Sequence, residues 1–302
     1  MSSKRPRYLV DSPIVPFSLQ VLRARQPRLV GDLPAAVDRC IGLLRRTEAK
    51  ATRFAAAEER ASSEQQISIC RQCRKMWSDR VKRLRVSIAG FMVELKDYDG
   101  AADVLRPLLG EDADATLLSC IARLYLQSGM LTEASAMLKR SHTIAEAELA
   151  QEPPLPTSAA DSPEQLRSTH LKRMLGTDRA LMAVAQGDYA AAESSLRALF
   201  PNGEWRGSSS SAAEADVDMA SQLSNLAVVM FYQGHLEEPL EMLESLLKEG
   251  PSLVTSTDAL VFNLATFHEL GRDDATADKR RLLMEVATWA GEGGSTSALK
   301  LA

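Results

Sequence analysis

This sequence has little of what builds an enzyme or a membrane protein. Among its 302 residues aromatic side chains make up only 5%, and there are four cysteines and four histidines. No apolar run reaches the roughly 18–20 residues that a bilayer-spanning helix needs. Four cysteines in so long a chain do not make a disulfide framework. No Asn-x-Ser/Thr sequon occurs, and the basic opening Met1-Ser2-Ser3-Lys4-Arg5-Pro6-Arg7 is not followed by an unbroken apolar core and a small-residue cleavage site. These absences lead to the expectation of a cytosolic protein.

Catalytic patterns are missing as well. There is no Gly-x-Ser-x-Gly, no phosphate-binding Gly-Lys-Ser/Thr and no His-Glu-x-x-His. His142, His170, His235 and His268 lie on separate segments without the Glu or Cys neighbours that would make a metal or catalytic set. Cys70-Arg71-Gln72-Cys73 is a CxxC, but Cys40 and Cys120 supply no second pair, and no βαβ context surrounds it. Helical spacing places Cys70 on an apolar stripe with Cys73 beside it, which makes both structural thiols. Asp97-Tyr98-Asp99-Gly100 resembles the opening of a calcium loop, yet the twelfth position, which must be a bidentate carboxylate, is Leu108. The expectation is a protein that is not an enzyme and takes no cofactor and no metal. A pI near 5.7 and a basic run without interleaved aromatics argue against nucleic acid.

What the chain does have is one turn, written six times. It reads Gly31-Asp32-Leu33-Pro34-Ala35-Ala36, Lys96-Asp97-Tyr98-Asp99-Gly100-Ala101, Gly129-Met130-Leu131-Thr132-Glu133-Ala134, Gly187-Asp188-Tyr189-Ala190-Ala191-Ala192 and Gly234-His235-Leu236-Glu237-Glu238-Pro239. A weaker copy is Gly271-Arg272-Asp273-Asp274-Ala275. A helix-closing residue, an apolar residue and then a small residue that admits a close neighbour form the tetratricopeptide pattern, with a period of about 34 residues. Ala101 to Ala134 is 33 residues, close to one bare repeat. The longer intervals from Ala134 to Ala192 and from Ala192 to Pro239 contain Pro- and Ser-rich breakers near 151–162 and 201–212. Ala36 to Ala101 is 65 residues with no such breaker, so unusually long helices are expected there.

The fold class predicted is all-α, a tetratricopeptide-type solenoid of about six helical hairpins over residues 13–290. A flexible N-terminus is expected at 1–12 and a tail at 291–302. Ser63 to Leu95 reads as the strongest helix, with Ile67, Cys70, Trp77, Val81, Leu84, Ile88, Phe91 and Leu95 on one stripe. Asn225-Leu226-Ala227 and Asn263-Leu264-Ala265 repeat a triplet 38 residues apart, each on a first helix. The last helix, about Ala275 to Ala290, carries enough charge to act as the polar cap that a terminal repeat needs. Repeats of this kind present a concave face of stacked first helices to a partner's helix or extended segment.

Charge is unevenly placed. Between Arg45 and Arg85 stand twelve Lys/Arg against five Asp/Glu, and between Asp97 and Glu164 four against twelve. Such a gradient can steer association. On that ground Arg71, Lys75, Lys82 and Arg85 of the long helix are the candidate partner-binding residues.

Two segments carry a family resemblance. Val15-Pro16-Phe17-Ser18-Leu19-Gln20-Val21-Leu22, followed by Pro27, Gly31 and Asp38-Arg39, resembles the start of the repeat region of the TRAPP (trafficking protein particle) subunit 12 family. Leu260-Val261-Phe262-Asn263-Leu264-Ala265-Thr266-Phe267-His268-Glu269-Leu270, with Leu299-Lys300-Leu301-Ala302, resembles its end. The resemblance implies a non-catalytic subunit of a TRAPP III-type assembly. Its expected partners are the other TRAPP subunits, large and core, and indirectly a Rab GTPase and membrane. It further implies vesicle tethering between endoplasmic reticulum and Golgi, a part in autophagy, and a cytoplasmic location peripheral to those membranes. Animal members typically carry a long N-terminal extension that has no counterpart in this sequence, so its role is not carried over. The alternative reading is an unrelated cytosolic tetratricopeptide adaptor or cochaperone.

Overall fold

The structure, a computed structural model, describes residues 15–110, 113–151, 163–200, 213–255, 257–271 and 274–289. The expected N-terminal stretch 1–12, nearly all of both loop stretches and the tail 291–302 lie outside these residues. Every described element is helical, so the all-α reading holds. Backbone contacts divide the chain into two compact units, Met1–Ala113 and Asp114–Ala302.

The first unit holds four helices: α1 (Phe17–Leu29), α2 (Leu33–Glu59), α3 (Glu64–Glu94) and α4 (Tyr98–Leu105), the last running into a short 3-10 turn at Arg106–Leu108. The long interval between repeats is occupied as expected, by a 27-residue α2 and a 31-residue α3. Ser63 caps α3 by accepting the Gln66 N–H, which fixes its start. The α3 stripe buries Cys70, Trp77, Leu84, Ile88 and Phe91. Leu84, Ile88 and Phe91 share one core with Val37, Cys40, Leu43 and Leu44 of α2 and Ala24 of α1. Ile67 and Val81 are half-buried, while Leu95, the residue after the helix, is exposed. Burial pushes the thiols of Cys40 and Cys70 above their ordinary value, as suits packed side chains.

The second unit holds α5 (Ala115–Gln127), α6 (Leu131–Gln151), α7 (Pro163–Ala185), α8 (Tyr189–Arg197), α9 (Ala213–Tyr232), α10 (Glu237–Glu249), α11 (Pro251–Thr255), α12 (Asp258–Gly271) and α13 (Ala275–Trp289). They pair as α5/α6, α7/α8, α9/α10 and α12/α13, and each pair packs on the next. Leu223, Leu226, Ala227 and Met230 of α9 are buried against Leu240, Leu243 and Leu246 of α10 and Leu260, Leu264 and Ala265 of α12. The repeated Asn-Leu-Ala triplets therefore meet, and the Asn263 amide donates to Ser224 Oγ at 2.8 Å. The small third residue leaves room for that contact. The short α11, entered through Gly250-Pro251, was not anticipated. The polar-cap expectation for α13 needs one correction: Lys279 is buried, its ammonium paired with Glu269 of α12. Met284 and Trp289 stand exposed on the same helix.

Five of the six turns fall where the sequence puts them and share one backbone design, while the weaker sixth lies partly outside the described residues. Gly31, Lys96, Gly129, Gly187 and Gly234 have φ of 84°, 64°, 77°, 78° and 88°. In each, the N–H of the following residue reaches five residues back, as in Asp32 N–H to Pro27 O at 2.9 Å and Asp188 N–H to Ala183 O at 2.9 Å. This is the Schellman closure of a helix C-terminus. In three of them the next residue is an Asp that opens the second helix, its Oδ1 accepting an N–H three residues on: Asp32 from Ala35, Asp97 from Gly100, Asp188 from Ala191. Five residues after the left-handed position come Ala36, Ala101, Ala134 and Ala192, each 0% exposed. The fifth turn puts a buried Pro239 there. Gly271 lies in ordinary helical backbone, and its role is close approach, since a Cβ would meet Leu236 Cδ2 at 3.1 Å.

Candidate functional site

The four residues expected to bind a partner all lie on α3 and span a narrow arc, 100° per residue placing Lys75, Lys82 and Arg85 within about 40° of Arg71. The structure distinguishes among them. Lys75 and Lys82 are exposed. Arg71 is exposed but tethered, its Nε donating to Glu58 Oε1 of α2 at 3.0 Å, with Arg74 on the other oxygen at 2.9 Å. Arg85 is half-buried, its Nη1 donating to the Val104 carbonyl of α4 at 2.7 Å and its Nη2 to Glu48 of α2. It falls at the edge of the arc nearest the buried stripe, and its guanidinium ties three helices together.

A larger feature of the first unit lies on the other side of α2. A groove of about 1000 Å³ runs between α1 and α2, with Trp77 of α3 at its floor. Ala24, Leu43, Thr47 and Trp77 are buried at its base, while Val15 and Leu19 are about half exposed at 49% and 52%. Arg23, Arg39, Arg46 and Lys50 line it, and no carboxylate does among the described residues. The Trp77 ring is held between the Lys50 ammonium, 4.5 Å from its centroid, and the Arg80 guanidinium at 4.4 Å. Phe17 meets the same ring edge-on at 6.0 Å. Sequence reasoning missed this groove because it is made from faces of two helices whose register no single periodicity reveals. A signal was present in the spacing of Arg39, Arg46 and Lys50 on one side of α2.

In the second unit the first helices of three successive hairpins, α5, α7 and α9, line a polar hollow, and α7, α8 and α9 line an apolar one beside it. One, about 180 Å³, is polar, with Ser119 and Arg123 of α5, His170 and Thr177 of α7, and Gln222 and Asn225 of α9 on its walls. The other, about 100 Å³, is apolar and shares Thr177 and Asn225 with the first. It ends at Tyr189 and Tyr232, stacked 5.2 Å apart with an interplanar angle of 5°. Beneath the polar hollow sits a fully buried carboxylate, Asp178 of α7. Its Oδ1 accepts from Ser119 Oγ at 2.9 Å and from Arg123 Nε at 2.8 Å, and His142 Nε2 of α6 stands 3.8 Å from Oδ2. Burial alone would push this carboxyl up. The His142 imidazole, the Arg123 guanidinium and the Ser119 hydroxyl outweigh it and hold the pKa below the usual carboxylate value. The cluster pins α5, α6 and α7 together.

Among the described residues no group of three or more His, Cys, Asp or Glu is placed to hold a metal ion. No described helix is long and apolar enough to cross a membrane. The surfaces on offer are grooves and charged helix faces.

No protein-family profile matches the chain. Two curated proteins do. It is 24% identical over 297 residues to trafficking protein particle complex subunit 12 of Mus musculus, covering 96% of this chain and 33% of that protein. It is 23% identical over 298 residues to the protein of the same name in Homo sapiens, covering 96% of this chain and 36% of that one. The chain thus spans about a third of the length of the curated relatives it matches. The resemblance carried by two short segments extends along nearly the whole chain, which is similar throughout to subunit 12 of the trafficking protein particle complex.

Proposed function

We propose that this chain is a non-catalytic scaffold subunit of a TRAPP III-type vesicle-tethering complex. In this reading it works in endoplasmic reticulum-to-Golgi transport and autophagy, in the cytoplasm at the surface of those membranes. It acts by holding other TRAPP subunits, which in turn engage a Rab GTPase. The observation that carries the reading is similarity over 96% of the chain to two proteins named for that complex. The grooves support a binding role, since paired helices leave concave faces and repeat proteins use such faces for partners. Arg71, Lys75 and Lys82, with Arg85 at the inner edge, form the proposed contact face on α3.

The test is affinity purification of the tagged protein from its own cells, with chemical crosslinking and mass spectrometry. Recovery of TRAPP core and large subunits is the expected result. Recovery of chaperones without TRAPP would favour the cochaperone reading instead. Reversing Arg71, Lys75 and Lys82 together should reduce recovery of the complex while helicity by circular dichroism is unchanged. Undiminished recovery would remove that face from the proposal and leave the complex.

A further inference from the structure

The groove between α1 and α2 of the first unit goes beyond that reading and does not depend on which complex the chain joins. We infer that it is a docking site for an acidic amphipathic helix of a partner protein. Three observations converge on that occupant.

The first is shape. On α2 the lining runs from Arg39 to Lys50, about 16 Å at 1.5 Å per residue, and on α1 from Phe17 to Gln26, about 14 Å, with Val15 just before the helix. Three helical turns on each wall make a trough fit for a segment, longer than a small molecule needs. The second is polarity. The base is largely apolar, and it is continued outward by Leu19 of α1 and by Val15 just before that helix, 52% and 49% exposed, with Leu22 beside the groove 62% exposed. Exposed apolar side chains at the lip of a groove are what the apolar stripe of a bound helix packs against. The third is charge. Arg23, Arg39, Arg46 and Lys50 surround the trough, with no lining carboxylate among the described residues. The unit as a whole has 21 Lys and Arg against 14 Asp and Glu, a formal +7. An occupant with Leu or Phe on one stripe and Glu or Asp flanking it would satisfy walls and floor together. A flat anionic bilayer would not, because Trp77 and Leu43 lie buried at the base of a concavity.

The experiment uses the full chain and a fluorescent peptide of about five helical turns with a Leu stripe flanked by Glu. Controls are the same composition in scrambled order and the same pattern with Lys for Glu. The expected result is saturable binding of the patterned acidic peptide, on the order of 10 μM, that weakens as salt rises. Arg39→Glu combined with Arg46→Glu should weaken it at least about tenfold, and Leu19→Asp similarly. Lys139→Glu combined with Lys248→Glu, two exposed positions on α6 and α10 of the second unit, should leave it unchanged. Both arginines are exposed, so their reversal tests the proposal even if Leu19→Asp were to unfold the unit. Equal binding of the scrambled peptide, or binding indifferent to Arg39 and Arg46, would overturn it. So would phosphatidylserine vesicles captured by the same residues without peptide binding, or self-association of the chain abolished by Leu19→Asp. Failure of the unaltered chain to bind the patterned acidic peptide, with TRAPP recovery intact, would sink this inference alone.

Discussion

Single residues carry strain and charge that the surrounding helices do not average away. Lys96 sits at φ 64° where four equivalent turns have Gly. A side chain there crowds the following carbonyl, at roughly 1 kcal/mol. Lys96→Gly is therefore predicted to stabilise the chain by about 0.5–1 kcal/mol in urea unfolding. Gly187→Ala should do the reverse by a similar amount; its Cβ would meet nothing within 4 Å, so the cost is purely one of backbone conformation. Asp178 makes a different argument. Its folded pKa is depressed, so its contribution is present above its unfolded value of about 3.9 and is lost as pH falls through the folded pKa. Asp178→Ala should cost about 3–5 kcal/mol at neutral pH by leaving Arg123 and His142 without their carboxylate. Asp178→Asn should flatten the acid limb of the stability profile below about pH 4. An unaltered acid limb in that variant would show that other carboxylates set it.

Helices and their turns are where sequence and structure agree best, and the reason is locality. Each turn is closed by bonds between residues five or fewer apart, so six residues of sequence contain nearly all of its chemistry. The buried alanines follow from the same motif: the second helix begins at a set angle, which brings its fourth residue against the first. Ala134→Leu should overpack that crossing and cost about 1–3 kcal/mol in urea unfolding while leaving helicity by circular dichroism intact. Interactions that join distant segments were illegible. Asp178 meets Ser119 from 59 positions away, and nothing near either residue marks the pairing. Arg85 shared an arc with Lys75 and Lys82 by periodicity, but only the placement of Val104 and Glu48 shows that it faces inward. The α1–α2 groove was hidden for the same reason.

At the scale of the whole chain the formal charge of −4 conceals opposite halves. The first unit is +7, and the second, with 15 Lys and Arg against 26 Asp and Glu, is −11. A nominally acidic protein should therefore be retained by a sulfonate cation exchanger at pH 7 and low salt. Reversing Arg39 and Arg46 should bring it off at lower salt; passage straight through the column would mean that the basic face is not available to solvent-borne anions. The repeated turn has a further consequence, for the order in which the chain acquires its form. Loops of about ten residues close in 10–100 ns, whereas a ribosome adds about 5–20 residues per second. A hairpin whose turn needs no distant partner is complete as soon as its second helix has emerged. Within the second unit each new pair then has a neighbouring pair already synthesised on which to pack.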